Sequence, residues 1–135
     1  MKIYENISSF GWDGDNGIGE MLIQQIIDRV KTATCSFKIL YEEHELNEVY
    51  ETKGKMVTVV NNQEEPKCNI RIIDVFETTF GDPDIRLVRG EGDGEEVQKF
   101  QGDHRTAWNN TVKDIQLTDD EILIVELFEL VEVLE

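Results

Sequence analysis

The stretch Arg29 to Phe37, "RVKTATCSF", decides how the rest of the chain is read. An apolar pattern of helical spacing runs into a lysine, and hydroxyl residues then alternate with small apolar ones. In an extended strand successive side chains point to opposite faces. Thr32, Thr34 and Ser36 therefore share one face, and Ala33, Cys35 and Phe37 share the other. The first face reads as wet and the second as core.

Upstream, Ile18, Leu22, Ile23, Ile26, Ile27 and Val30 recur at spacings of three and four, with Glu20, Gln24, Gln25 and Asp28 on the other side. This predicts an amphipathic helix. The glycine-rich "WDGDNGIGE" before it reads as an entry loop, with Asn16 as the cap and Glu20 near the positive helix end. Lys31 is then a cation closing the helix. Downstream, "YEEHELNEVYETKGK" has no clean period, and Lys53-Gly54-Lys55 reads as a turn into the strand "MVTVV".

After "NNQEEPK", which has turn chemistry, Cys68 to Phe80 has the branched and aromatic content of a long strand. Ile70 and Ile72 alternate while Ile73 and Val75 continue on the other parity, so a bulge or burial on both faces is expected. Asp82 to Arg89 suits a short helix, "GEGDG" a loop, and Val97, Phe100, His104 and Trp108 a second amphipathic helix. At the C-terminus Thr118 and Glu121 have capping-box spacing, but Glu126, Glu129, Glu132 and Glu135 repeat every three residues, a period of neither helix nor strand. The β-branched content favours one turn at Thr118 followed by a strand with an irregularity near Phe128. The whole reads as a single domain, residues 1–135, of the α+β class: a compact sheet with helices packed on it.

Composition narrows the partners. A net charge of -16, from 29 acidic against 13 basic residues, argues against coating the phosphates of extended double-stranded nucleic acid. Any contact with RNA is expected to be short and local. Cys35 and Cys68 are too few and too far apart for a zinc framework or a disulfide scaffold, and read as reduced thiols. Without a long apolar run or a signal-like N-terminus, a cytoplasmic protein with no membrane contact is expected. The oligomeric state is open.

Several motifs invite chemistry. "DGDNG" begins like a calcium loop, but Gln24 stands where the bidentate acid belongs. "GEGDG" lacks the third glycine of a dinucleotide fingerprint and the lysine of a P-loop, and its acids would repel phosphate. Glu91 suits proton transfer better: flanking glycines permit close backbone approach, and a dry cleft raises a carboxyl pKa towards neutrality. The bland reading is a solvated turn acid. Lys31 and Thr34, three residues apart, form a base and nucleophile pair if the amine is desolvated. His104, Phe100, Trp108 and Trp12 read first as core or cleft wall and second as catalyst or base-stacking groups.

Taken together, "VKTATCS", "GDPDIRLVRGEGD", the Phe100-x3-His104-x3-Trp108 helix and the closing "LTDDEILIVELFELVEV" resemble the ASCH domain, in particular its bacterial stand-alone branch. The resemblance runs from about Phe10 to the C-terminus. It implies a small PUA-like mixed β-barrel with peripheral helices and a cleft between barrel and helices, and a relation to RNA or modified bases. It is similar to a branch that hydrolyses the acetyl amide of N-acetylcytidine with a Lys, a Thr and a Glu, which fall on Lys31, Thr34 and Glu91. Thr32, Ser36, Lys53, Arg89 and His104 are then expected to bind substrate, with no metal and no cofactor. The implied activity is a nucleoside amidohydrolase; the alternatives are a non-catalytic module binding a modified nucleoside or short single-stranded RNA, and a ribonuclease.

Overall fold

The computed structural model describes residues 2–111 and 118–134, the side chains of 107–111 excepted. Five strands form one sheet in the order β1-β3-β4-β5-β2: β1 (Ile7–Ser9), β2 (Ala33–Phe37), β3 (Met56–Val60), β4 (Pro66–Thr79) and β5 (Ile122–Val133). β1 runs parallel to β3, and the other pairings are antiparallel. The sheet curls into a half-barrel whose edge strands are β1 and β2. The helices are α1 (Ile18–Ile27), α2 (Glu43–Glu51), α3 (Ile85–Gly90) and α4 (Val97–Thr111). Among the described residues no helix is long and apolar enough to cross a membrane.

Alternation along the sheet divides the core in two. Ile124 and Phe128 of β5 join Val57, Val59, Ile70, Ile72, Ile23 and Ile26 in one cluster, to which α2 adds Leu46 and Val49. Leu123, Val125 and Leu127 face the other way, with Ala33, Phe37, Phe80, Leu87, Val88 and Phe100. Thus α1 and α2 cover one face of β5, and α3 and α4 cover the other.

The expected bulge is real. Ile72 pairs with Phe128 but Asp74 with Leu127, so Ile73 is the extra residue of β4, 49% exposed, and burial resumes on the new parity at Val75. A second shift, between Asn69 and Ile70, skips Val131 of β5. The irregularity near Phe128 and the turn at Thr118, where the Glu121 amide donates to the Thr118 carbonyl, also match expectation.

Other expectations need correction. Asn16 does not cap α1; it holds a left-handed backbone (φ 56), and the Asp15 carboxylate accepts from the amides of Trp12, Gly17 and Gly19. Those three bonds hold the Asp15 carboxyl below its ordinary value, the Gly19 amide contributing most. The helix stops at Ile27 and not at Val30, which is 52% exposed. Arg29 turns left-handed (φ 64), and the amides of Arg29 and Val30 donate back to the carbonyls of Ile26 and Gln25, the two bonds of a Schellman cap. Lys31 therefore lies beyond the helix and does not close it.

The stretch without a clean period contains α2, whose buried stripe is too narrow to show. A capping box defines its start: the Glu42 side chain accepts from the backbone of Glu45, whose own side chain accepts from the Glu42 amide. β2 ends at Phe37, where the expected alternation also ends, and gives way to a 3-10 turn at Lys38–Leu40. The short strand β1 was not expected at all. The predicted side-chain role of Trp108, and Glu135, lie outside the described residues.

Gly90 sets how α3 meets β2. A Cβ there would lie 2.3 Å from the Ala33 Cβ, and the Thr32 amide donates to the Gly90 carbonyl at 2.6 Å. Helix α3 therefore lies against β2 with no room for a methyl group. Gly90→Ala is expected to cost about 1–3 kcal/mol through overpacking against backbone, measured by urea denaturation.

Candidate functional site

The docking of α3 on β2 carries Glu91 to Lys31. Lys31 is 3% exposed, and its amine donates to a Glu91 carboxylate oxygen (Oε1) at 2.8 Å and to the Ala33 carbonyl at 2.7 Å. The other oxygen, Glu91 Oε2, faces His104 Nε2 at 3.2 Å. His104 Nδ1 lies 2.8 Å from the Phe100 carbonyl one helical turn back, and the two rings also touch. Cys35, two residues on from Ala33 on the same face, brings its sulfur within 4.8 Å of the Glu91 and His104 ligand atoms. Burial and then the Glu91 carboxylate push the Cys35 thiol up, with Lys31 opposing them. Cys35 and Cys68 are both free thiols.

The Glu91 carboxyl was expected to be raised towards neutrality. Burial does push it up, but the Lys31 amine and His104 outweigh burial and leave it below its ordinary value. Glu91 is accordingly a carboxylate near neutral pH, the form that can accept a proton. The glycines around it serve packing: Gly90 seats α3, and Gly92 has φ 89 with the Val30 side chain 3.2 Å from where its Cβ would lie.

Thr34 is placed differently. It alternates with Cys35, so its hydroxyl points to the face of the sheet covered by α1 and α2, and its cross-strand partner is Glu126. Among the described residues no hydrogen bond joins Thr34 to Lys31 or Glu91. Ser36 shares the Thr34 face and meets the Tyr41 hydroxyl. Thr32 is exposed, with its amide on Gly90. Lys53 is turned to Asp74 at 3.3 Å, and Arg89 pairs with the exposed Glu95. Of the residues singled out from sequence, the structure thus gathers Lys31, Glu91 and His104, and leaves Thr34, Ser36, Lys53 and Arg89 with other partners.

Sequence reasoning missed Cys35 as a member of this cluster, although its parity with Lys31 and Ala33 placed it on the correct face. It also missed Glu126, hidden in the three-residue acidic repeat. Burial pushes the Glu126 carboxyl up. A hollow of about 220 Å³ between the entry loop and the 60s turn is lined by Phe10, Trp12, Asp15, Glu20 and Asn62, and lies apart from these groups.

An α+β half-barrel with helices on both faces and a covered Lys-Glu-His cluster at one edge strand defines the class. The model of the ASCH domain matches residues 9–132, and the chain belongs to that family. Two solved structures share the fold. Protein EF3133 from Enterococcus faecalis V583, of the family-model DUF984, is 21% identical with a TM-score of 0.73, the match covering 98% of this chain and 80% of that one. The ASCH domain from Lactobacillus crispatus JV V101 is 23% identical with a TM-score of 0.74, covering 96% and 82%. No match was found among curated proteins.

The electrostatics of two carboxyl groups set measurable outcomes. Lys31→Met strands a covered carboxylate and is expected to cost about 3–5 kcal/mol; the Lys31→Met/Glu91→Gln double variant should lose less than the two single losses combined, read from a denaturation cycle. For Glu126 the sign is opposite. A carboxyl raised on folding binds its proton more tightly in the native state, so native stability falls as pH rises from the ordinary carboxylate value to the folded one. Glu126→Gln should therefore melt higher than the parent at pH 7, with the gap closing below about pH 4, measured by thermal scans across pH.

Proposed function

We propose that the chain is an amidohydrolase that removes the acyl group from the exocyclic amine of a modified nucleoside, N-acetylcytidine-like in chemistry. One observation carries this reading: Lys31 and Glu91, 60 positions apart in sequence, pair at 2.8 Å with side chains 3% and 10% exposed. Covering two charges costs several kcal/mol per ion and is weak as a source of stability, so such a pair in a family of this kind points to chemistry. A free nucleoside also lacks the phosphates that a chain of charge -16 would repel.

In this reading the roles differ from a lysine-activated threonine. The Lys31 amine is already engaged as a donor to Ala33 and Glu91 and has no place as a base; it stabilises the oxyanion that develops when the amide carbonyl is attacked. Glu91 takes the proton of the attacking water and passes it to the leaving exocyclic amine, so that the C–N bond breaks and the free nucleoside and the acid are released. Where a hydroxyl attacks instead, the acyl group first forms an ester on it as the amine leaves, and a water activated by Glu91 then hydrolyses that ester and restores the hydroxyl. Thr34 is the nucleophile only if the edge strand turns its hydroxyl towards Lys31; otherwise water attacks.

A second reading, a non-catalytic domain that binds a modified nucleoside or short single-stranded RNA, is favoured by the placement of Thr34 on the other face. Incubation with N-acetylcytidine separates the two. Acetate release that falls by about 10²-fold or more in Glu91→Gln, with the fold intact by circular dichroism, supports the amidohydrolase. Saturable binding without release refutes it. Thr34→Ala then identifies the nucleophile, since release persisting in that variant assigns attack to water.

A further inference from the structure

Beyond the deacylase reading, though at the Glu91 carboxylate it also uses, we propose that Cys35, Glu91 and His104 form a site for a single divalent transition-metal ion of the zinc or cobalt class. The three offer a thiolate, a carboxylate oxygen and an imidazole nitrogen, the donor set such ions prefer, and the ligand atoms all lie within 4.8 Å of one another.

The spacing matches a tetrahedral ion at its tightest pair. With metal–nitrogen and metal–oxygen bonds of about 2.0–2.2 Å, two such ligands stand about 3.3 Å apart; Glu91 Oε2 and His104 Nε2 are 3.2 Å apart. Sulfur at about 2.3 Å from the ion belongs about 3.6 Å from the other two, and with the ligand atoms within 4.8 Å of one another Cys35 has to close by about 1.2 Å at most.

A second, independent observation concerns orientation. His104 Nδ1 is anchored on the Phe100 carbonyl, and a carbonyl can only accept, so Nδ1 carries the proton and donates. The anchor aims Nε2 at the Glu91 oxygen, the arrangement by which metal-binding histidines are fixed in tautomer and ring orientation. Nε2 thus faces Glu91 Oε2 at 3.2 Å, a position where either a proton or a metal ion joins the two. Lys31 occupies the other oxygen, Oε1, and thereby holds the carboxylate for one-oxygen ligation through Oε2. Binding releases the Cys35 thiol proton to solvent, and the thiolate takes its place as ligand. The cover over Glu91 and His104, 10% and 16% exposed, shields the site while leaving an approach.

The test is Co²⁺ titration of chelator-treated, full-length protein, followed by absorption. One equivalent is expected to produce visible bands of tetrahedral intensity and a near-ultraviolet thiolate-to-cobalt band. Cys35→Ser should lose the thiolate band, and His104→Ala should lose the visible bands as well, both with unchanged circular dichroism. His44→Ala, which removes the exposed Glu42, His44 and Glu45 group as a competitor, should leave the spectrum intact. Absence of the thiolate band in the parent protein overturns the proposal, as does a band that survives Cys35→Ser or vanishes in His44→Ala; a proton alone would then join His104 to Glu91. Because the readout needs no substrate, its failure leaves the deacylase reading standing, and failure of acetate release leaves the cobalt result standing.

Discussion

The arrangement of this molecule depends on one close approach, that of Gly90 to Ala33. Helix α3 touches β2 backbone to backbone, the Thr32 amide donating to the Gly90 carbonyl at 2.6 Å. β2 is an edge strand, and unpaired backbone along an edge has to be covered or paired. Here the cover is local: Gly90 satisfies the Thr32 amide, and the Lys31 side chain folds back to satisfy the Ala33 carbonyl. The residue after Gly90 is Glu91, so the contact that closes the edge also delivers a carboxylate to the lysine closing it. Structure and candidate chemistry at this edge have the same cause.

The second constraint is the bulge at Ile73. A strand as long as β4 would keep one face towards α1 and α2 along its whole length. By inserting one residue, the chain changes parity, so that Val75 joins the first cluster and Phe76 packs against the second. β5 has its own shift at Val131, and the pair curls. That curl lets one sheet bury two separate clusters and lets α3 and α4 reach the far face of β2, where Lys31 and Cys35 point.

Much of this was legible in the residues. The bulge was visible because Ile70, Ile72, Ile73 and Val75 cannot all lie on one face of a regular strand. The two long helices were visible from their spacings, and the pairing of Lys31 with Glu91 came from the family likeness. The rest was hidden for physical reasons. α2 buries only Leu46 and Val49 partly, so its stripe is too thin to give a period. α1 was read too long because a left-handed residue is ordinarily glycine or asparagine, and here it is Arg29. The pKa of Glu91 was read in the wrong direction because burial was weighed without its neighbours, and Lys31 together with His104 decides the sign.

Strand alternation then limits what the edge can do. Residues 31, 33 and 35 share one face, so any chemistry built on Lys31 draws naturally on Cys35 and on what α3 and α4 bring, Glu91 and His104. Residues 34 and 36 share the other, and Thr34 and Ser36 draw on Glu126 and Tyr41. A lysine and a threonine three apart are neighbours on a helix but lie on opposite faces of a strand. The same spacing thus supports a nucleophile and its base in one backbone conformation and separates them in the other. Since β2 is a strand from Ala33 onward, the covered groups at Lys31 form one unit and the hydroxyls at Thr34 another, with the sheet between them.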